Sequence, residues 1–359
     1  MKVGLNLLHL VPGETGGAEL YARRLIPALQ ELDVELALFT GEVGIWSGAE
    51  VVSLQFDPRS RARRVLAEQT LLPRAARRAG IDLLHNLFTT APVVLGVPQV
   101  TTILDLIYKR FPQTHAGLRA WGLRALVPLA ARRSRRILTL SEAAKADVVR
   151  FLGIPEARVD VTYLGPGIAD DVTPVPEEEL RSRFHLGDGP VVLSVSAKRP
   201  HKNLERLFEA VAGIDAELVV TGYPTPFEAE LRRKAGTRIH FGGWVSDEEL
   251  AGLYDLATCL VFPSLAEGFG LPVLEAMQRA LPVACSNTTS LPEVAGDAAL
   301  YFDPTDTAAI REALERLLKD AGLRERLAAA GRVQAEKFSW EATAEATLRS
   351  YELALNTRS

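Results

Sequence analysis

Cysteine is scarce in this chain of 359 residues: only Cys259 and Cys285 occur, each inside an apolar run. Two such thiols support neither a disulfide framework nor a zinc cluster, and they are read as buried and free. An Asp-x-Asp metal motif is also missing; Asp170-Asp171 falls in a proline-broken segment and reads as a solvated charge pair. No window approaches the roughly 18 consecutive apolar residues of a membrane span. The opening MKVGLNLLHLVPG carries no small-residue cleavage site, so it is read as a first strand and the protein as cytoplasmic. The first glycine loop lacks Gly-x-Gly-x-x-Gly, which argues against a nicotinamide-dependent dehydrogenase.

What is present is ordinary globular composition, 47% apolar and 24% charged, over a length that favours two domains. The net charge of -4 is unevenly spread. Residues 1–168 hold 21 lysines and arginines against 15 acids, and the remainder 20 against 30. Arg59, Arg61, Arg63, Arg64, Arg74, Arg77 and Arg78 form one basic group, and Arg132, Arg133, Arg135 and Arg136 another. These fit either a solvated helix face or a contact surface for anionic lipid at the inner membrane face or for an anionic acceptor. Few aromatics interleave with them, so nucleic acid is not the expected partner.

Short runs rich in Val, Ile and Leu alternate with amphipathic stretches in both halves, the pattern of parallel sheets covered by helices. Strands are expected at 3–8, 34–39, 82–85, 99–104 and 137–140, and again at 190–196, 217–221, 238–241, 258–262 and 282–285. Ser246-Asp247-Glu248-Glu249 spells a capping box at the start of a helix over 247–257. Pro174 and Pro176 break the acidic segment 170–179, which reads as a linker. The fold class expected is α/β, with two doubly wound parallel-sheet (Rossmann-like) domains facing a cleft.

The most informative stretch runs from Phe262 to Glu275, where strand, glycine turn and helix start follow in immediate order. Gly268 and Gly270 permit close backbone approach, Pro272 suits a first helical turn, and the helix N-terminus offers unpaired N–H groups to a diphosphate. Glu267 would lie on the loop facing a sugar, and Glu275 could accept two hydrogen bonds from a ribose diol.

With both glutamates eight positions apart around Gly268-Phe269-Gly270-Leu271, the sequence resembles the GT-B retaining glycosyltransferases of the Glu-x7-Glu family, glycosyltransferase family 4, group 1. That family includes glycogen-synthase-like and mannosyltransferase-like enzymes. The resemblance implies that Lys202, in Pro200-His201-Lys202-Asn203, meets the donor diphosphate. It also implies that the backbone around Val245, in Gly242-Gly243-Trp244-Val245, touches the nucleobase. Gly16 and Gly17, in Gly13-Glu14-Thr15-Gly16-Gly17, correspond to the family's glycine loop beside the donor phosphates. Relatives carry an arginine where this chain has Ala197, and Lys198 or Arg199 could stand in. Ser141-Glu142 matches a position framing the cleft. Where relatives read His-Asp, this chain reads Leu104-Asp105. Asp105 is retained, and His9 or His85 could take the histidine's place, unless the donor differs or turnover is impaired.

On this resemblance, residues 1–168 form an acceptor-side domain on which a C-terminal helix, 340–359, packs back. Residues 169–184 link it to a nucleotide-sugar-binding domain, 185–339. The catalytic group is expected to be Glu267, Lys202 and Asp105. Gly16, Gly17, Lys198, Arg199, Val245, Gly268, Phe269, Gly270, Leu271 and Glu275 would bind the donor. The donor would be a nucleotide-sugar, GDP-mannose before a UDP-sugar, and the acceptor a saccharide or lipid-linked saccharide. Neither metal nor other cofactor is expected. A non-catalytic sugar-nucleotide binder, an inactive partner subunit and an epimerase of the same fold are the alternatives.

Overall fold

The computed structural model describes residues 1–11, 16–42, 46, 48–111, 118–169 and 171–356. The chain divides into two compact units, Met1–Gly165 with Ser339–Ser359, and Pro166–Phe338.

The first unit opens with β1 (Lys2–Asn6), α1 (Gly17–Gln30), β2 (Glu35–Thr40), β3 (Glu50–Ser53) and α2 (Arg61–Ala79). It continues with β4 (Leu83–Asn86), β5 (Gln99–Thr102), α3 (Ile107–Arg110), α4 (Leu118–Arg133), β6 (Arg136–Thr139), α5 (Glu142–Leu152) and β7 (Val159–Val161). Its seven strands are parallel, in the order β3-β2-β1-β4-β5-β6-β7. Side chains alternate between the faces of a strand. Gly4 lies against Phe39, Ile81 and Leu84, within the core that α2 covers. Its neighbours Val3 and Leu5, both fully buried, therefore point to the opposite face.

The second unit contains α6 (Glu177–Phe184), β8 (Val191–Val195), α7 (Leu204–Val211), β9 (Glu217–Thr221), α8 (Glu228–Lys234), β10 (Ile239–Gly243) and α9 (Asp247–Leu256). These are followed by β11 (Cys259–Phe262), α10 (Leu271–Gln278), β12 (Val283–Ser286), α11 (Leu291–Ala295), β13 (Ala299–Phe302), α12 (Thr307–Lys319) and α13 (Ala321–Ala335). Six parallel strands lie in the order β10-β9-β8-β11-β12-β13. One face packs Val192, Leu218, Val220 and Val261 against Leu207, Phe208, Ile310, Leu314 and Leu317. Cys259 and Cys285 are buried and free, and burial pushes both thiols up, Cys259 to about 12. Ser246 and Glu249 cap α9 reciprocally, as their spacing predicts.

The segment expected to be a linker differs. Its end forms α6, whose Leu180 and Phe184 are buried, and Gly252 of α9 sits so close to the Val175 carbonyl that no side chain would fit there. Residues 175–184 thus belong to the second unit's core. Three consecutive glutamates at the helix start obscure the two apolar residues that anchor it.

The last helix, α14 (Trp340–Asn356), returns to the first unit and packs on α1, β5 and β6. Ser339 Oγ accepts the Ala342 N–H at its start, and Thr343 Oγ1 donates to the Tyr163 carbonyl at 2.6 Å. At its far end Tyr351 Oη lies 2.7 Å from His85 Nδ1, while His85 Nε2 lies 2.7 Å from Thr102 Oγ1. Tyr21 Oη of α1 reaches the same threonine at 3.2 Å. Burial lowers the His85 pKa from 6.5 to about 3, so the folded protein keeps the imidazole neutral. The unfolded chain binds a proton there that the folded one refuses, so this contribution is intact above pH 6.5 and is lost as pH falls toward about 3. Wild type should therefore lose more Tm than His85→Gln between about pH 7 and about pH 5; parallel curves would show that His85 is not the group responsible.

Candidate active site

In a doubly wound sheet, ligands bind at the carboxyl ends of the strands where the connections diverge. The second unit has that point between β8 and β11, since the chain runs from β8 outward to β10 and then returns to the other side of β8. The loops leaving these two strands bring Lys202 and Glu267 together, with Nζ 2.6 Å from Oε1 and the side chains 15% and 10% exposed.

The pair is held by the backbone of both loops. Leu265 N–H donates to the His201 carbonyl, and Asn203 Nδ2 donates to the carbonyls of Pro263 at 3.0 Å and Pro304 at 2.7 Å. Thr289 Oγ1 accepts the Glu267 N–H at 3.0 Å. Thr289 is β-branched and has a φ of +53°, a strained conformation that surrounding structure must enforce. Ser290 Oγ donates to the carbonyl of Phe269 at 2.7 Å. Gly270 caps α10 at a φ of +114°, and a Cβ there would come within 2.7 Å of Leu291. The position is thereby closed to other residues.

Glu275 lies in α10, 5% exposed, and its Oε2 accepts from Tyr254 Oη at 2.8 Å. The Tyr254 phenol is pushed well above its ordinary pKa, first by burial and then by the carboxylate beside it. The Phe269 ring is core, edge-on to Phe338 at 5.8 Å, so a ligand could meet only its backbone. Gly268 and Leu271 are partly exposed. Val245 is buried beside an exposed Trp244.

Lys198 is placed otherwise than its role as a substitute cation requires. It is fully buried, its ammonium donates to the Gly222 carbonyl at 2.6 Å, and burial lowers its pKa to about 8. Arg199 is exposed. The motif carries no hint of two buried hydroxyls at the ends of β8 and β11, Ser196 and Ser264, neither of which has a hydrogen-bond partner among the described residues.

The first unit diverges between β1 and β4. Gly16 caps α1 with a φ of +54° and Gly17 begins the helix, and a Cβ on either would meet no atom of the described residues within 4 Å. Residues 13–15 of the glycine loop lie outside the described residues. Asp105 Oδ1 accepts the Ile107 N–H at the start of α3, and Ser141 Oγ accepts the Ala144 N–H at the start of α5. His85, with both ring nitrogens bonded and no exposure, cannot take the place of the histidine that Leu104 displaces.

Beyond β1 and β4 lies a polar cluster that no sequence motif marks. Glu68 of α2, fully buried, is met by Asn6, His9 and Thr90. Among the arginines, Arg61, Arg63, Arg74, Arg77 and Arg78 are exposed, whereas Arg136 pairs with Asp160 and Arg135 donates to the Ala354 carbonyl. Among the described residues no group of three or more His, Cys, Asp or Glu could hold a metal ion, and no helix is long and apolar enough to cross a membrane.

Comparison with known proteins gives matches over both units. A family model described as glycosyl transferases group 1 matches residues 176–334, and one described as glycosyltransferase family 4 matches residues 15–166. O-antigen chain mannosyltransferase B of Escherichia coli is 34% identical over 267 residues, which are 71% of this chain and 70% of that protein. The serotype-specific mannosyltransferase WbdA of Escherichia coli is 32% identical over 237 residues, 61% of this chain but only 29% of that longer protein. Among solved structures, Anabaena HepE in complex with UDP-glucose superposes with a TM-score of 0.78 at 18% identity, covering 98% of this chain and 99% of HepE.

Proposed function

Because this chain belongs to glycosyltransferase family 4, group 1, and has the GT-B fold, we propose that it transfers mannose from GDP-mannose to a saccharide or lipid-linked acceptor. A UDP-sugar is the next donor to consider. The relatives named as mannosyltransferases support the sugar. The observation that carries the reading is the Lys202–Glu267 pair at the divergence of β8 and β11, with Glu275 following in α10.

In this reading Lys202 turns from Glu267 to the donor diphosphate, where its charge and the N–H groups at the start of α10 stabilise the negative charge growing on the leaving group. Arg199 is the second cation, in place of the buried Lys198. Glu275 accepts the ribose hydroxyls while Tyr254 holds its other side. Glu267 orients the sugar, and the acceptor enters on the face the leaving phosphate vacates, so that the anomeric configuration is retained. No divalent metal is required, since these groups supply the charge.

Calorimetry with GDP, UDP, ADP and dTDP, followed by GDP-mannose turnover in EDTA with the product's anomeric configuration read by NMR, tests the reading. Binding of GDP above the others, and a retained product formed without metal, is expected. Failure to bind any nucleotide would remove the donor site and favour the non-catalytic partner that Leu104 and Ala197 suggest.

A further inference from the structure

We propose that the divergence of β1 and β4 is a binding site for a hydroxyl of a neutral saccharide acceptor, with His9 Nδ1 as the hydrogen-bond acceptor and Glu68 as the residue that holds the ring. This rests on the glycosyl-transfer reading above. The orientations in the cluster follow from the contacts of its members, and Thr90 Oγ1 also lies 3.2 Å from His9 Nε2. Asn6 Oδ1 accepts the Leu8 N–H at 3.2 Å, so its Nδ2 must face Glu68 Oε1 at 3.0 Å and Asn86 Oδ1 at 2.9 Å. Thr90 Oγ1 donates to the same Glu68 oxygen at 3.0 Å. Glu68 Oε1 is thus an acceptor, and His9 Nε2, 3.1 Å away, is the donor. In the neutral imidazole this leaves a lone pair on Nδ1, which has no partner among the described residues. The His9 side chain is 19% exposed, so that nitrogen can meet a ligand.

Glu68 itself calls for an explanation. Its side chain has no exposure, and among the described residues its partners are Asn6, His9, Thr90 and Gln69, with no lysine or arginine among them. A carboxylate buried with a histidine as its one basic partner among the described residues is costly, and an apolar side chain would fill the space more cheaply. Fixing the tautomer and direction of a partly exposed histidine accounts for its presence. The preceding Thr89, β-branched at a φ of +52°, adds enforced strain where Thr90 enters the cluster. The ligand's chemistry follows from the charges. A bare nitrogen seeks an O–H donor, and a carboxylate with no lysine or arginine among its described partners disfavours a phosphate, so the site suits a sugar hydroxyl.

The two amide replacements of histidine separate binding from scaffolding, since glutamine places its amide near Nε2 and asparagine near Nδ1. Transfer from GDP-mannose to octyl α-mannoside, octyl β-glucoside and octyl β-galactoside would be measured, alongside calorimetric GDP binding. For the glycoside the wild type uses best, His9→Gln and His9→Ala should raise KM by about tenfold or more. His9→Asn should recover part of the loss, and GDP binding should be unchanged in all three. The proposal is overturned if His9→Gln behaves as wild type while His9→Asn behaves as His9→Ala, because His9 would then serve only to satisfy Glu68. It is overturned as well if wild type binds GDP but transfers to none of these glycosides, an outcome that leaves the donor site standing. If wild type binds no nucleotide, the transfer reading fails and this one with it.

Discussion

Replacing Lys202 by alanine is expected to lower kcat for sugar transfer by about a hundredfold to a thousandfold, the usual effect of removing one preorganised charge from a developing oxyanion. The same substitution has a structural effect that must be separated from this. Lys202 is the cation recorded beside Glu267, whose side chain is only 10% exposed, and a carboxylate left alone in such a place destabilises the fold. Combining Lys202→Ala with Glu267→Gln removes the orphaned charge, so it should restore Tm relative to the single variant while turnover stays low. Measured as a double-mutant cycle in both Tm and kcat, the two quantities should part company. Recovery of kcat together with Tm would mean that Lys202 is only a partner for Glu267 and never meets the phosphates.

Glu275→Ala should weaken binding of the cognate nucleoside diphosphate by about a hundredfold or more, since two hydrogen bonds to a charged acceptor contribute on the order of 1.5–3 kcal/mol each. Here too a control is built into the structure. Removing the carboxylate leaves the buried Tyr254 hydroxyl short of a partner, which costs about 1–3 kcal/mol of stability. Tyr254→Phe combined with Glu275→Ala removes that cost. If calorimetry of the double variant shows nucleotide binding near the wild-type level, Glu275 is a core residue and the ribose lies elsewhere. Glu275→Gln, which keeps shape but loses charge, should fall between wild type and alanine.

The donor side of this protein is legible in its sequence because it is local. Strand, glycines, proline and both glutamates fall within the stretch from Phe262 to Glu275, and the loop after β8 brings Lys202 to it. The first unit's cluster is the opposite case. Asn6 and His9 meet Glu68 and Thr90 across separations of 59 to 81 residues, and each alone reads as an ordinary polar residue near a strand end. Only the order of strands, which no periodicity reveals, puts them together. The missed strands have a similar cause. β3 is an exposed edge with one partly buried residue, β7 has three residues with Asp160 at its centre, and β13 is partly exposed along most of its length. An apolar run is a signal of double-sided burial, and edge strands lack it. The burial of Lys198 is hidden from the sequence for another reason: its position beside Ala197 is visible, but the carbonyl of Gly222 that captures it comes from the next strand's loop.

The path of the chain also bears on its synthesis. The backbone leaves the first unit at Gly165 and re-enters it at Ser339, and the two passages touch, with Gly165 set against Ser339 and Trp340. The second unit is therefore an insertion, complete in sequence by Phe338, whereas the first lacks α14 and the Tyr351 hydroxyl on His85 until the residues after Phe338 emerge. Domains fold as units during translation, so the half of the protein that is made first is finished last, and a ribosome stalled after Phe338 would carry a completed second unit beside a first whose core still lies open along one face.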